Sequence, residues 1–315
     1  MVRVGIDVMG GDFAPKNVVL GAIQAFTRIQ PKTRLILFGD QNQIEAECRE
    51  AGFETAKFEI VHTSQVIGMG DHPAKAFQQK PDSSISVGFR ALADCRIDGF
   101  ASAGNTGAML AGVIYTVKAI PGIIRPAISS VYPLLNGKTA LLLDVGLNVD
   151  CKPDVLYQYG LLGSIYAKYM MGIADPRVAL LNIGEEEEKG NLQTKETFKI
   201  MQDTPDFNFV GNIESNRIFS GTIADVIVAD GFVGNVVLKQ AEAMYVLAKK
   251  QGIDSEYFNR FNYELYGGTP VLGVNAPVII GHGISSPKAI ENMILQTEHA
   301  IKVHLVDKII EVLDK

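Results

Sequence analysis

The residues of this chain that could do chemistry gather at glycine-bearing corners. Gly104-Asn105-Thr106-Gly107, Met9-Gly10-Gly11-Asp12, Gly146 with Asn148, Gly231 to Asn235 and His282 to Ser286 each follow a short apolar run. A helix N-terminus presents unpaired N–H groups and partial positive charge, and glycine lets a ligand approach the backbone, so such corners suit phosphate. Gly104, Thr106, Gly107, Gly234, Ser285 and Ser286 are therefore phosphate-binding candidates. Asn105, Asn235 and His282 are candidate catalytic residues. Any one corner reads equally well as a capped turn; several on one edge point to a site.

Familiar motifs fail. NGKT at 136–139 imitates the end of a phosphate-binding loop, but Tyr132 stands where the first glycine belongs. GHGISS carries Ser286 where a dinucleotide fingerprint needs its third glycine, and no G-x-S-x-G or HExxH occurs. Anion-binding turns without a strong protein nucleophile suggest that bound phosphate itself attacks an acyl carbonyl. A thiol, with a reference pKa near ~8.5, leaves more readily than an alkoxide. The protein would then orient phosphate and stabilise the oxyanion, where one lost donor costs about 100- to 1,000-fold in rate.

The elements needed to hold these corners are visible as a βα rhythm. Apolar runs at 2–8, 35–38, 97–101, 139–145, 177–183, 207–211, 225–229 and 277–280 end in small or polar residues before helical patterns begin. Consecutive apolar positions, as in VALLNI and TALLLDV, predict strands covered on both faces of a mostly parallel, doubly wound α/β sheet. In such a sheet the loops leaving the carboxyl ends of the strands share one edge, where ligands bind. Gly160, Gly163, Ser164 and Ala167 form a small-residue stripe suited to close helix packing. The expected organisation is a single α/β domain over 1–315, with two lobes as an option and a protruding helical pair about 235–266, bent near Gly252.

Composition narrows the partners. The 315 residues are 47% hydrophobic and 20% charged with a net charge of −6, ordinary for a folded chain and without the basic stripe that nucleic acid requires. Cys48, Cys95 and Cys151 are odd in number and far apart, which suits a reducing cytosol and gives neither a disulfide framework nor zinc spacing. No secretory leader or membrane span is expected.

Read together, IDVMGGDFAP, SAGNTGAML, LLLDVGLNVDCKP, LLNIGEEEEKGN, ADVIVADGFVGNVVLK and GVNAPVIIGHGISSPKAI resemble the bacterial phosphate acyltransferases of phospholipid synthesis, which act on acyl carrier protein. The similarity runs over nearly the whole chain. It implies transfer of a long-chain fatty acyl group from acyl carrier protein to inorganic phosphate, giving acyl phosphate. It implies a cytoplasmic homodimer, peripherally membrane-associated, whose product feeds a membrane glycerol-3-phosphate acyltransferase. The implied fold is similar to that of phosphotransacetylases and isopropylmalate dehydrogenases, with no cofactor and no metal. Two departures stand out: Gln78 and Gln79 interrupt a run, usually basic, that keeps Lys75 and Lys80 before Ser83 and Ser84, and Leu147 replaces a small residue.

Several residues carry two readings. His282 protonates the leaving thiolate or bonds phosphate, or else caps the next helix. Asp144 and Asp150 bracket the Gly146 corner and could orient Asn148 or Lys152; with Asp7 and Asp230, Asp144, Asn148 and Lys152 are supporting candidates. Cys151 is expected to be inert. Glu185 to Glu188 reads as a solvated charge run. Met244, Tyr245, Leu247, Phe258, Phe261, Tyr263, Leu265 and Tyr266, with Lys249, Lys250 and Arg260, suggest a dimer contact, core helix or membrane surface. The rival functions are an acyl-CoA phosphotransacetylase, a dehydrogenase of related fold and a non-catalytic acyl- or anion-binding regulator.

Overall fold

The computed structural model describes residues 1–314. Strand β1 (Val2–Asp7) leads to helix α1 (Lys16–Phe26), β2 (Thr33–Gly39) to α2 (Gln41–Glu50), and β3 (Glu59–His62) to α3 (Pro73–Gln79) and α4 (Ser84–Ala93). Strand β4 (Gly99–Ser102) runs into α5 (Thr106–Gly112), while β5 (Ala127–Pro133) and β6 (Thr139–Leu143) precede α6 (Pro153–Met170). Next, β7 (Arg177–Asn182) leads to α7 (Leu192–Met201), and β8 (Asn208–Glu214) and β9 (Val226–Val228) precede α8 (Gly231–Lys250) and α9 (Glu256–Asn259). Strands β10 (Thr269–Leu272) and β11 (Val278–Ile280) and helices α10 (Pro287–Lys302) and α11 (Leu305–Leu313) close the chain.

These elements form two compact units. Unit one comprises Met1–Ile120 and Tyr263–Val306; unit two comprises Pro121–Asn262 and the chain from Asp307 onward. In unit one the strand order is β3-β2-β1-β4-β11-β10, parallel apart from β10 against β11. Val4 and Ile6 point to one face, where they pack with Val18, Val19 and Ala22 of α1 and with Ile290, Met293 and Ile294 of α10. The intervening Gly5 points the other way, towards Phe38 and Phe100, and Phe100 lies over Gly88 of α4. Helices thus cover both faces, as the unbroken apolar runs require.

Unit two has the order β5-β6-β9-β7-β8, parallel apart from β5 against β6. The small-residue stripe of α6 serves packing: Gly160 faces the Phe207 ring and Gly163 faces Val226 and Leu143. In the segment from 235 to 266, α8 stops before Gly252 in its left-handed conformation, and only the single turn of α9 follows, with a 3₁₀ turn at Tyr263–Leu265. Among the described residues, no helix is long and apolar enough to cross a membrane.

Candidate functional site

Three corners meet in unit one, and strand pairing is what brings them there. Ser102 pairs with Ile280 across parallel β4 and β11, and Ala101 pairs with Ile6 across β4 and β1, so the corners after all three strands leave one edge. The contacts are backbone to backbone. A β-carbon on Gly10 would collide with Asp7 and with the Gly104 main chain, and one on Gly11 would meet the carbonyl of Gly283 at 3.2 Å. Asp12 N–H donates to that same carbonyl at 2.7 Å. Glycine at 10 and 11 is thus a condition of the three corners touching.

Asp7 anchors the arrangement from beneath. Its carboxylate is fully buried and accepts from Ser102 Oγ at 2.6 Å and Met9 N–H at 3.1 Å, with further bonds from Ser84 and Gly10. Ser102 Oγ in turn accepts Gly104 N–H at 2.9 Å. Burial pushes the Asp7 carboxyl above its ordinary range, against the downward pull of these hydrogen bonds. Ser102 carries no distinct signal in the sequence, because a serine at a strand end reads as a routine cap, and Ser84 is marked there only as one of the serine pair after Lys80.

Asn105 has a different task from the one its type suggests. Its Oδ1 caps α5 by accepting Ala108 N–H at 3.0 Å, while Nδ2 donates to the carbonyls of Gly68, Met69 and Asp71 at 3.1, 3.2 and 3.1 Å. The amide expected to face phosphate is committed to the 68–71 loop, which Lys80 braces through Asp71 at 2.6 Å and the Val66 carbonyl at 2.8 Å. With Gly104 N–H bonded to Ser102 and Ala108 N–H to Asn105, the donors at this corner include the Asn105, Thr106 and Gly107 amides and the exposed Thr106 hydroxyl.

The 282–286 corner is similarly divided. Ser285 is buried and its Oγ donates to the His282 carbonyl at 2.6 Å, so its hydroxyl closes the turn. Ser286 caps α10, its Oγ accepting Ala289 N–H at 3.3 Å. The His282 ring is partly exposed and meets the Tyr263 ring edge to face at 4.8 Å.

Unit two repeats the device with a second buried aspartate. Asp144 accepts from Ile128 N–H at 2.9 Å, Asn148 N–H at 2.6 Å, Leu147 N–H at 3.4 Å and Asn148 Nδ2 at 3.2 Å. Burial again raises its carboxyl, opposed by those bonds. Asp230 caps α8 through Val233 N–H at 2.8 Å, and Gly231 N–H donates to the Asn148 carbonyl at 2.7 Å. Gly234 lies against the Asp144 carbonyl, and Asn235 lies beside Gly146. Lys152 is exposed just before α6 and is not what Asp144 orients; Asn148 is. The predicted site residues therefore fall into two groups, with Asp7, 104–107 and 282–286 in unit one and Asp144, Asn148, Lys152, Asp230, Gly234 and Asn235 in unit two.

Other expectations resolve locally. The Cys151 thiol is pushed up to about 11 by burial, close to Tyr159. Glu185 pairs with Arg217 at 2.8 Å. Among the described residues no group of three or more His, Cys, Asp or Glu is placed to hold a metal ion. Tyr257 and Phe261 pack on unit two, with Phe261 edge-on to Tyr132 at 5.6 Å and the Tyr257 hydroxyl on the Pro133 carbonyl at 3.2 Å, while Met244 and Leu247 are exposed.

A family model described as "Fatty acid synthesis protein" matches residues 2–308. The chain is 39% identical to the phosphate acyltransferase of Dictyoglomus turgidum, over 100% of this chain and 98% of that one. It is 41% identical to the phosphate acyltransferase of Oceanobacillus iheyensis, over 98% and 96%. Its fold is similar to that of a phosphotransacetylase from Streptococcus pyogenes, with a TM-score of 0.67 at 17% identity, covering 96% of this chain and 94% of that one.

Proposed function

We propose a reaction for this chain on one premise: it belongs to the phosphate acyltransferase family. It is an acyltransferase whose acceptor is inorganic phosphate. The finer reading is that a long-chain fatty acyl group arrives as a thioester of acyl carrier protein. The observation that carries the placement of the chemistry is the contact of three glycine corners in unit one, Gly10 on Gly104 and Gly11 on Gly283.

Phosphate is held by the Thr106 and Gly107 amides and the Thr106 hydroxyl, facing the 282–286 corner. A phosphate oxygen attacks the thioester carbonyl; the new carbon–oxygen bond forms, the carbon–sulfur bond breaks, and the thiolate leaves. His282 supplies the proton that the thiolate takes up, or a hydrogen bond to phosphate. Asn105 acts by holding the 68–71 loop, and Ser285 by closing its turn. In unit two, the Asn235 side chain is the corresponding anion donor; the Gly231, Val233 and Gly234 amides are bonded to Asn148 and Asp230, so Gly234 serves by its close packing on the Asp144 carbonyl, with Asp144, Asn148 and Asp230 in support and exposed Lys152 as a supporting charge. No metal or nucleotide is required for these steps.

Incubation with palmitoyl carrier protein and phosphate, followed by hydroxylamine trapping of acyl phosphate, tests the reading. Signal with palmitoyl-CoA alone favours the phosphotransacetylase alternative; signal with neither donor favours an acyl- or anion-binding regulator. Exposed Phe232, Val236, Met244 and Leu247 on α8 support a homodimer contact or peripheral membrane association in the cytoplasm. Light scattering of the purified chain and co-sedimentation with anionic vesicles separate these two, and binding to vesicles would place the product beside a membrane glycerol-3-phosphate acyltransferase.

A further inference from the structure

All four main-chain carbonyls from His282 to Ser285 are engaged, three of them by other segments of unit one. Ser285 N–H and Oγ close on the His282 carbonyl at 3.0 and 2.6 Å. Asp12 N–H donates to the Gly283 carbonyl at 2.7 Å, the Tyr263 hydroxyl to the Ile284 carbonyl at 3.1 Å, and Asn17 Nδ2 to the Ser285 carbonyl at 3.1 Å. A trans peptide is rigid and planar, so fixing a carbonyl also fixes the N–H that follows it. The path of this corner is thereby set one peptide plane at a time.

Two of the three outside donors are side chains, and neither belongs to a glycine corner. Asn17 stands in the first turn of α1, whose Gly21 lies against Ile290 and the Pro287 carbonyl of α10. Its amide is therefore presented from a backbone already packed on the helix that the corner opens. Tyr263 acts twice, because its ring also meets the partly exposed His282 ring edge to face at 4.8 Å. We propose that Asn17 and Tyr263 are positioning residues for acyl transfer, which hold the 282–286 main chain and through it the His282 ring. This rests on the role given to His282 above. A group that passes a proton or bonds phosphate must stay within hydrogen-bond reach of its target, and small displacements there cost rate steeply.

NMR of the full chain with ¹³C-labelled histidine reads the tether in the absence of substrate, and His282→Gln assigns the ring signal among the five histidines. Asn17→Ala, which removes the donor to Ser285, and Tyr263→Phe, which keeps the ring and removes only the hydroxyl, should each move or broaden the His282 signal and leave the other four in place. In the acyl phosphate assay each should lower kcat/KM for phosphate about tenfold. Introduced beside His282→Gln, each should change it by less than about twofold, because the group they position is gone. The same factor in both backgrounds is what a merely structural tie gives, and it overturns the proposal. So does a His282 signal that stays in place in both variants. Failure of every thioester donor to give acyl phosphate would instead overturn the reaction, and the ring signal would still decide the tether.

Discussion

Ser102 Oγ lies 2.6 Å from Asp7 Oδ2 and 2.9 Å from Gly104 N, so one hydroxyl joins a fully buried carboxylate to the glycine that opens the corner proposed for phosphate. The hydroxyl has one proton to give, and giving it to Asp7 leaves its lone pairs for the amide. Ser102→Ala leaves Gly104 N–H without its partner in a site closed to water, which typically costs about 1–3 kcal/mol for a buried group left unpaired, and takes away one of the several bonds that Asp7 accepts. The expected outcome is a destabilisation of about 2 kcal/mol by chemical denaturation. Because the corner then loses its fixed position, the KM for phosphate should rise about tenfold with the acyl-donor KM little changed. A variant with wild-type phosphate KM would separate this hydroxyl from phosphate binding.

Asn105 should respond to substitution in an order opposite to chemical similarity. Aspartate can still cap Ala108, but it replaces three donated hydrogen bonds with a carboxylate facing the carbonyls of Gly68, Met69 and Asp71. Alanine removes the tether and adds no repulsion. Both variants should lose about 100-fold in turnover, and Asn105→Asp should be cleaved faster than Asn105→Ala near residues 68–71 in limited proteolysis. The reverse order of cleavage would mean that the loop is held by something other than this amide.

Thiol chemistry should leave the reaction intact. Cys151 is half-buried with its thiol pushed up to about 11 by burial, so it is almost wholly protonated near neutrality, whereas Cys95 is exposed. Brief iodoacetamide treatment should label Cys95 first and spare activity, and Cys151→Ala should stay within about threefold of wild type, as expected of a thiol with no part in the chemistry. Loss of turnover in step with labelling of Cys151 would give that thiol a role.

Most of the strands that the sequence disclosed are apolar almost throughout. Every run read as a strand forms one, and for most of them burial on both faces leaves a nearly unbroken apolar signature, although β8 lies at the end of the strand order with its first residues partly exposed. Three others escaped. Strand β3 has the exposure of an edge, β5 carries Ser129 and Ser130 in its middle, and β10 contains Pro270. For β5 a signal was present: Asn136-Gly137, noticed only as a false phosphate-loop ending, is the hairpin turn joining β5 to antiparallel β6, with Gly137 at φ +83°. At the site, glycine spacing marked the corners, since close backbone approach demands glycine. The division of labour at each corner did not show, because whether Asn105 or Ser285 faces a ligand or a carbonyl depends on residues 37 and 3 positions away.

Two buried aspartates should give opposite pH dependences. Burial alone would raise the Asp225 carboxyl, but the bonds from the Arg177 side chain and backbone outweigh it and hold the group below its ordinary range. A depressed folded-state pKa stabilises above the unfolded value of about 3.9, and that contribution is lost as pH falls through the folded value. The advantage of wild type over Asp225→Asn should therefore be constant above about pH 5 and shrink below about pH 4. Asp7 is raised, chiefly by burial. Here the ionised form is the penalised one, so the penalty is absent below about pH 3.9 and grows as pH rises towards the folded value. Asn at position 7 carries no such penalty, and the stability of Asp7→Asn relative to wild type should improve as pH rises from about 4 towards neutrality. Thermal unfolding of the three proteins across that range reads both effects. Parallel curves for wild type and Asp7→Asn would mean that Asp7 meets the same proton affinity folded and unfolded, and its place beneath the Gly104 corner would then have to be explained by hydrogen bonding alone.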